Sequence, residues 1–273
     1  MTKHKKLSID FILGVFFLLL IAGLMIYAYF FSPYDMNELN AAGKLAPPSL
    51  AHPFGTDHLS RDLLTRVGQG SAGSLIVAFG TVVLGATLGF FIGSAAGYFG
   101  GFIDWLLSRV IDSLLAFPAL LMALLVVSVW DRGIPQLILA LGLAFTPSFA
   151  RIVRSVYQVQ RQRDFVKRLE VMGAPPLRIL FLHISPLLKE QYLNALAIGL
   201  ANAILAESSM SFIGFGVQAP KPSWGGMLSD ARAYVFQAPW VAIFPGLCIV
   251  LTVLAIFLIK RSGLFKYRED FYD

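Results

Sequence analysis

Long uncharged stretches alternate with short polar segments along most of the chain. Residues 11–31 form 21 consecutive uncharged positions, which is long enough to cross a hydrocarbon core of about 30 Å. We predict five further spans, at residues 75–99, 110–130, 133–153, 191–213 and 241–259. The pattern therefore predicts an all-α integral membrane protein with six transmembrane helices.

Glycine and proline suggest how these spans pack. The second span has glycine near every fourth position, which allows close approach between membrane helices. Pro118 lies inside the third span and predicts a kink there. We therefore expect the second helix to be packed against other helices rather than surrounded by lipid.

Composition supports a membrane domain. Hydrophobic residues make up 57% of the chain and charged residues only 14%, with a mean hydropathy of +0.71, whereas about a quarter of the residues in soluble domains are charged. The net charge of +6 could suggest nucleic acid. In the predicted topology, however, sixteen of the 22 Lys and Arg residues lie on the side of both termini. That asymmetry predicts a multi-pass cell-membrane protein with cytoplasmic termini and lipid contacts, and no nucleic-acid partner.

Four regions follow from this topology. Residues 1–31 hold the cytoplasmic N-terminus and the first span, and residues 32–72 form an extracytoplasmic loop. Within that loop, capping at Thr56 or Asp57 predicts an interfacial helix. Residues 73–262 form a core of five spans, and residues 263–273 form a basic cytoplasmic tail.

The elbow, residues 161–186, is a basic interruption between two spans. Asp164 is predicted to cap a short helix whose apolar face holds Phe165, Leu169 and Met172. Gly173 is placed where a helix C-terminus needs positive φ. A second amphipathic helix is predicted to start at Pro175–Pro176 and to end at Pro186. Two such helices either lie on a membrane surface or fill a groove in a partner protein.

Glu207 is the one carboxylate well inside an apolar segment. Ionisable groups in membranes face the protein interior or an aqueous path. With Ser208, Met210 and Ser211 it is predicted to line a translocation path; a hydrogen-bonded packing role near the outer interface is the alternative. After this span, Trp224 and Trp240 are predicted to be interfacial aromatic residues.

No catalytic machinery is predicted. Gly43–Lys44 is not part of a phosphate-binding loop, the four histidines form no i, i+4 metal pair, and Cys248 is alone. We therefore predict a non-enzymatic chain with no cofactor or metal of its own. A transporter without its own ATPase machinery either leaks passively or takes energy from a partner.

Three segments carry a family resemblance. HPFGTDHLSRD at residues 52–62 and GFGVQAPKPSWG at residues 214–225 resemble signatures of dipeptide, oligopeptide and nickel permeases of ABC importers. The elbow is similar to the coupling loop of ABC-importer permeases at Gly173, Ile184 and Pro186. It departs from that loop where Glu-Ala-Ala is usual, because this chain has Lys167, Arg168 and Leu169 there.

The resemblance implies a type I ABC importer permease fold with a cytoplasmic coupling helix. It implies a second homologous permease, two ATP-binding subunits that hold ATP and Mg, an extracytoplasmic solute-binding protein, and alternating access. The residues expected to contact the ATPase are Asp164, Phe165, Lys167, Arg168, Leu169, Glu170, Met172, Gly173, Ala174 and Pro175. Those expected at an outer gate or binding-protein contact are Asp57, Arg61, Asp62 and Trp224.

Two other classes remain as alternatives. An ion-coupled secondary transporter usually needs several intramembrane ionisable groups and an internal repeat, and the chain offers one good candidate group. An intramembrane enzyme needs a paired nucleophile and base or a metal pair within the spans. For the substrate, the RQRDFV and SDARAY stretches resemble the nickel branch somewhat more than the peptide branch.

Overall fold

The computed structural model describes residues 8–39, 43–129 and 132–263. Within these ranges the chain is helical, and the only β-type pairing is an isolated antiparallel bridge between Thr56 and Asp62. The predicted cytoplasmic tail after Gly263 lies outside the described residues. The all-α prediction is confirmed for the described part of the chain.

Among the described residues, five helical segments are long and apolar enough to cross a membrane. The first helix ends in a π-helical turn, Tyr27–Phe31, and a second π-helical turn, Ile179–Ile184, joins α7 to α8. In chain order the helices are α1 Ile9–Ile26, α2 Leu63–Phe99, α3 Gly101–Leu115, α4 Ala119–Val129, α5 Ile134–Arg161, α6 Asp164–Val171, α7 Pro176–Arg178, α8 Ser185–Phe212, α9 Trp224–Ala231 and α10 Trp240–Arg261.

The predicted third span is two helices, α3 and α4, bent by 90°. Pro118 follows Phe117 at the break, and because proline disfavours helical geometry in the residue before it, the chain turns sharply there. Helix α3 begins at Gly101, earlier than the predicted start of this span at residue 110. At 15 and 11 residues, neither helix alone reaches the roughly 20 residues of a full span, so six spans require counting the pair as one.

The centre of the bundle is the contact between α2 and α5. A Cβ added at Gly89 would lie 2.5 Å from Phe149 Cβ, and one at Gly97 would lie 2.6 Å from Tyr157 Cβ. Such distances leave no room for a side chain, so the two backbones approach closely, as the glycine pattern predicts. Helices α1 and α10 pack together beside this pair, where Gly14 lies against Ile259.

The predicted interfacial helix is wrong as a separate element. The chain from Thr56 to Arg61 forms turns, and helix α2 begins only at Leu63. Asp62 is the N-cap, because its side chain accepts the backbone N–H of Thr65 at 2.8 Å. From there α2 continues for 37 residues into the predicted second span. A favourable cap and a buried Leu63 place the helix start six residues later than the sequence pattern did.

The bundle has two ends with different chemistry. The loop end holds residues 32–39, 43–62 and 214–239, which belong to the connections between the spans there. The elbow end holds residues 162–175, between α5 and α7. Helix α8 runs from the elbow end to the loop end, and its start is earlier than predicted because the helix continues through Pro186.

Candidate functional site

The C-terminus of helix α6 in the elbow is capped at Gly173. Gly173 has φ +77°, and its N–H donates to Glu170 O at 3.0 Å while Ala174 N–H donates to Leu169 O at 3.0 Å. This pair of bonds is the Schellman arrangement that ends helices in a left-handed residue. The prediction for Gly173 is confirmed. The predicted cap is wrong by one residue, because Arg163 is the N-cap and Asp164 is the first helical residue.

The elbow presents apolar side chains away from its own chain. Val166 is fully buried, but Phe165 is 37% and Met172 80% exposed. The predicted apolar face of α6 therefore does not pack into this chain as a whole. Val171 is also exposed, at 89%, so an apolar surface remains open among the charged residues Lys167 and Arg168.

A buried tyrosine anchors the second half of the elbow. Pro186 cannot donate a backbone hydrogen bond, and just before it the helix takes a π-helical form at Ile179–Ile184. Tyr157 of α5 is fully buried, and its hydroxyl donates to Leu180 O at 3.1 Å and lies 2.8 Å from Ser185 Oγ. Pro186 therefore alters the helix without ending it, contrary to the prediction.

Two contacts tie the elbow to the end of α2. Tyr98 donates its hydroxyl to Glu170 Oε1 at 3.4 Å. Arg161 Nη1 donates to Phe99 O at 2.9 Å, which satisfies a carbonyl at the C-terminus of α2. Hydrogen bonds therefore join the elbow directly to the C-terminal end of α2.

At the loop end, Glu207 lies inside the protein. Its carboxylate accepts Ser211 Oγ at 2.7 Å and Ser208 Oγ at 3.3 Å, and the residue has no exposed surface. Ser208, Met210 and Ser211 are also buried. The structure therefore places the four residues predicted for a translocation path in the interior of this chain, with hydrogen bonds joining Glu207 to Ser208 and Ser211.

Trp224 is buried in the same part of the structure. It is fully buried, its backbone N–H donates to Ser74 Oγ at 3.2 Å, and its indole Nε1 donates to Val67 O at 3.1 Å. The prediction of Trp224 as an interfacial residue is wrong, because short helix α9 inserts it between α2 and α8. A Cβ at Gly225 would collide with the backbone of Ser208, so α9 and α8 are in close contact.

The other residues predicted at an outer gate form a charged network. Asp57 Oδ2 accepts Arg61 Nε at 2.7 Å and lies 3.4 Å from Arg66 Nε. Asp62 pairs with His52 Nδ1 at 2.9 Å. Asp57 and Asp62 are 6% and 2% exposed, so they lie behind the surface that a partner could touch.

Sequence reasoning missed several residues of these sites. Tyr157, Ser74 and Val166 are buried contact residues, and the Asp104–Arg154 pair, with Nη2 to Oδ2 at 2.8 Å, joins α3 to α5. Helical periodicity would have identified Val166 only if α6 had been recognised as having a second apolar face, on the side that packs against its own chain. Ser74 has no sequence signal that distinguishes it from the other small residues of α2.

The described part of the chain is a bundle of apolar helices with a polar elbow between two candidate spans. A sequence model of the family described as "Binding-protein-dependent transport system inner membrane component" matches residues 85–262. The chain belongs to this family and is a membrane permease of ABC importers.

Curated relatives agree over nearly the whole chain. The dipeptide transport system permease protein DppC of Alkalihalophilus pseudofirmus is 36% identical over 94% of this chain and 84% of its own length. The glutathione transport system permease protein GsiD of Pectobacterium atrosepticum is 38% identical, over 90% and 82%. A putative peptide transport system permease protein of Brucella suis is 39% identical, over 92% and 84%.

A solved structure supports the fold. A chain of the MetNI methionine ABC transporter, in an inward-facing conformation, is similar with a TM-score of 0.61. The likeness covers 74% of this chain and 97% of that chain at 17% identity. The type I importer permease fold predicted from the sequence is confirmed.

Proposed function

We propose that this permease carries peptides and that its elbow end docks on a separate ATPase subunit. The peptide substrate is supported by the relatives, which are named for dipeptide, glutathione and peptide transport. The nickel interpretation rests only on two short stretches and is therefore the weaker one.

The exposed apolar surface of α6 carries the docking proposal. Val171, the last residue of α6, and Met172, its C-cap, are 89% and 80% exposed, close in sequence to the charged residues Lys167, Arg168 and Glu170. Such side chains gain about 1.5–3 kcal/mol each when a partner buries them fully. The elbow end, which is rich in Lys and Arg, would face the cytoplasm together with both termini.

The ATPase subunits would hold ATP and Mg, and two of them would pair with this permease and a second homologous one. A binding protein on the opposite side would deliver the peptide. Closure of the ATPase pair would push α6, and Tyr157 and Arg161 would pass that movement to α8 and α2. The bundle would then open to the other side, as alternating access requires.

The test is Met172→Glu, with Leu50→Glu as matched control. Leu50 is an exposed apolar residue of the loop at the opposite end, so both variants place a charge on an exposed apolar position. We expect Met172→Glu to lower ATPase co-purification and ATP-dependent dialanine uptake at least tenfold, while Leu50→Glu stays near wild type.

Uptake that survives ATP depletion but stops with an uncoupler would favour the ion-coupled alternative. Equal ATPase recovery in both variants would remove α6 from the interface. A wild-type complex that couples to ATP but moves no dialanine would contradict the peptide substrate alone.

A further inference from the structure

A polar pocket of about 300 Å³ opens at the loop end and is lined in part by Ser211, which donates a hydrogen bond to the buried Glu207. Three parts of the chain form it: the turn before α2, the segment after α8, and helix α9. Its lining includes Arg61, Arg66, Ser211, Lys221 and Asp230. The volume lies at the lower bound of ordinary ligand sites and is large enough for one side chain of a partner.

The pocket holds more positive than negative charge. Arg61 and Arg66 share the single carboxylate of Asp57, which lies behind the lining. Asp57 Oδ1 also accepts the backbone N–H groups of Leu59 and Arg61 at 2.8 and 3.0 Å, so the carboxylate is held rigidly. Both guanidinium groups are thereby fixed, and one carboxylate compensates only one of the two charges.

Lys221 adds a third cation. It is exposed and has no ion pair or hydrogen bond within the described part of the chain. Among the described residues of the lining, Asp230 is the one carboxylate. Glu207 is fully buried behind Ser211, and its carboxylate accepts a hydrogen bond from Ser211 Oγ. Counting Asp57 and Asp230 against the three cations leaves one positive charge at the opening.

The two signature segments of the sequence meet here. Arg61 comes from residues 52–62, and Lys221 comes from residues 214–225, about 160 positions later. The first of these segments lies outside residues 85–262, which match the general family. One wall of the pocket is therefore additional to the part shared with that family, as expected for contacts with a particular partner rather than for the common transport core.

We infer that this pocket receives an acidic side chain of the extracytoplasmic binding protein. The inference rests on the proposed orientation, which places the loop end on the side of that protein. Arg61, whose Nε is held by Asp57, and the exposed Lys221 are cationic donors suited to a carboxylate, while Arg66 is only 5% exposed. Charges of this kind at a rim act mainly on the rate and the salt dependence of docking.

The variants are Lys221→Glu and Lys221→Gln in the assembled complex, reconstituted in lipid nanodiscs. Lys221 is chosen because it supports no described contact, so the fold should not depend on it. Lys44→Glu is the matched control: Lys44 is also exposed and on the same side, but it does not line the pocket. The readout is the Kd of the peptide-free binding protein at low and high salt.

We expect Lys221→Glu to raise that Kd roughly five- to tenfold at low salt and less at high salt. Lys221→Gln should have a smaller effect, and Lys44→Glu should stay within about twofold. Equal changes in Lys221→Glu and Lys44→Glu would overturn the inference, because they would indicate only the general field of that side.

A second arm separates the binding protein from the substrate. If Lys221→Glu leaves the Kd of the peptide-free protein unchanged but raises the half-saturating dialanine concentration for uptake, the pocket serves the peptide carboxylate and the inference is wrong. If wild type docks the binding protein yet takes up no dialanine, the proposed substrate fails while the pocket result still stands.

Discussion

The loop end and the elbow end differ in which side chains they bury and which they leave exposed. At the loop end, Asp57, Asp62 and Glu207 are buried and bonded within the chain, and Trp224 is fully enclosed. At the elbow end, Val171 and Met172 are exposed and α6 buries mainly Val166. The loop end thus bonds these carboxylates within the single chain, whereas the elbow end leaves the apolar side chains of Val171 and Met172 exposed.

The difference has a physical basis. A buried polar group without a hydrogen-bond partner costs several kcal/mol, so the loop end satisfies its buried carboxylates within the chain. An exposed apolar side chain at an aqueous surface costs far less, so the elbow can keep such residues until a partner binds. We therefore expect loop-end substitutions to affect stability and elbow substitutions to affect coupling.

The largest effect is expected for Trp224→Ala. It removes a fully buried side chain and its bond to Val67 O, and should destabilise the protein by about 3–5 kcal/mol. Thermal melting in detergent measures this. Trp105→Ala is the control, since Trp105 is 55% exposed on α3. Equal melting temperatures for the two variants would mean that α9 does not hold the loop end together.

Glu207→Ala tests the hydrogen bonds inside the same region. Ser211 and Ser208 would lose their acceptor in a buried setting, which should cost about 1–3 kcal/mol. Glu207→Gln keeps an acceptor oxygen and should recover much of the loss. If uptake fell in Glu207→Gln while the melting temperature stayed at the wild-type value, the carboxylate would serve the path and not only packing.

Gly173→Val examines the elbow. A β-branched residue at φ +77° should be strained by about 1–2 kcal/mol, although no atom lies within 4 Å of the added Cβ. Because the site is open, we expect normal membrane insertion but a lower ratio of dialanine uptake to ATP hydrolysis. Gly173→Asn, which tolerates this backbone better, should be milder. An unchanged ratio in Gly173→Val would show that the backbone turn at Gly173 plays no part in coupling.

The smallest stability effect is expected for Tyr157→Phe, which removes the hydroxyl bonded to Leu180 O and Ser185 Oγ and should cost about 1 kcal/mol. Tyr192→Phe is matched, because Tyr192 donates its hydroxyl to Ala86 O at 2.6 Å away from the elbow. Only Tyr157→Phe should lower the ratio of uptake to ATP hydrolysis. A similar loss in both variants would indicate a general packing effect.

Part of the site was predictable. Gly173 was found because helix termination needs a residue that tolerates positive φ, and glycine is that residue. The apolar face of α6 was also recognised, but periodicity does not reveal whether such a face packs inward or remains exposed. Tyr157 was not predicted as a contact residue, because in the sequence a buried tyrosine looks like any other aromatic residue of a span until its partner carbonyl is known.

The sequence by itself determined the helical membrane class, the approximate spans, the close packing of α2 through its glycines and the family. These follow from local composition and periodicity, which the bilayer constrains strongly. The tertiary structure decided what lies inside. Trp224 is buried rather than interfacial, the α3–α4 pair bends by 90°, and Arg61 and Lys221 reach one pocket, because each depends on contacts between segments distant in the chain.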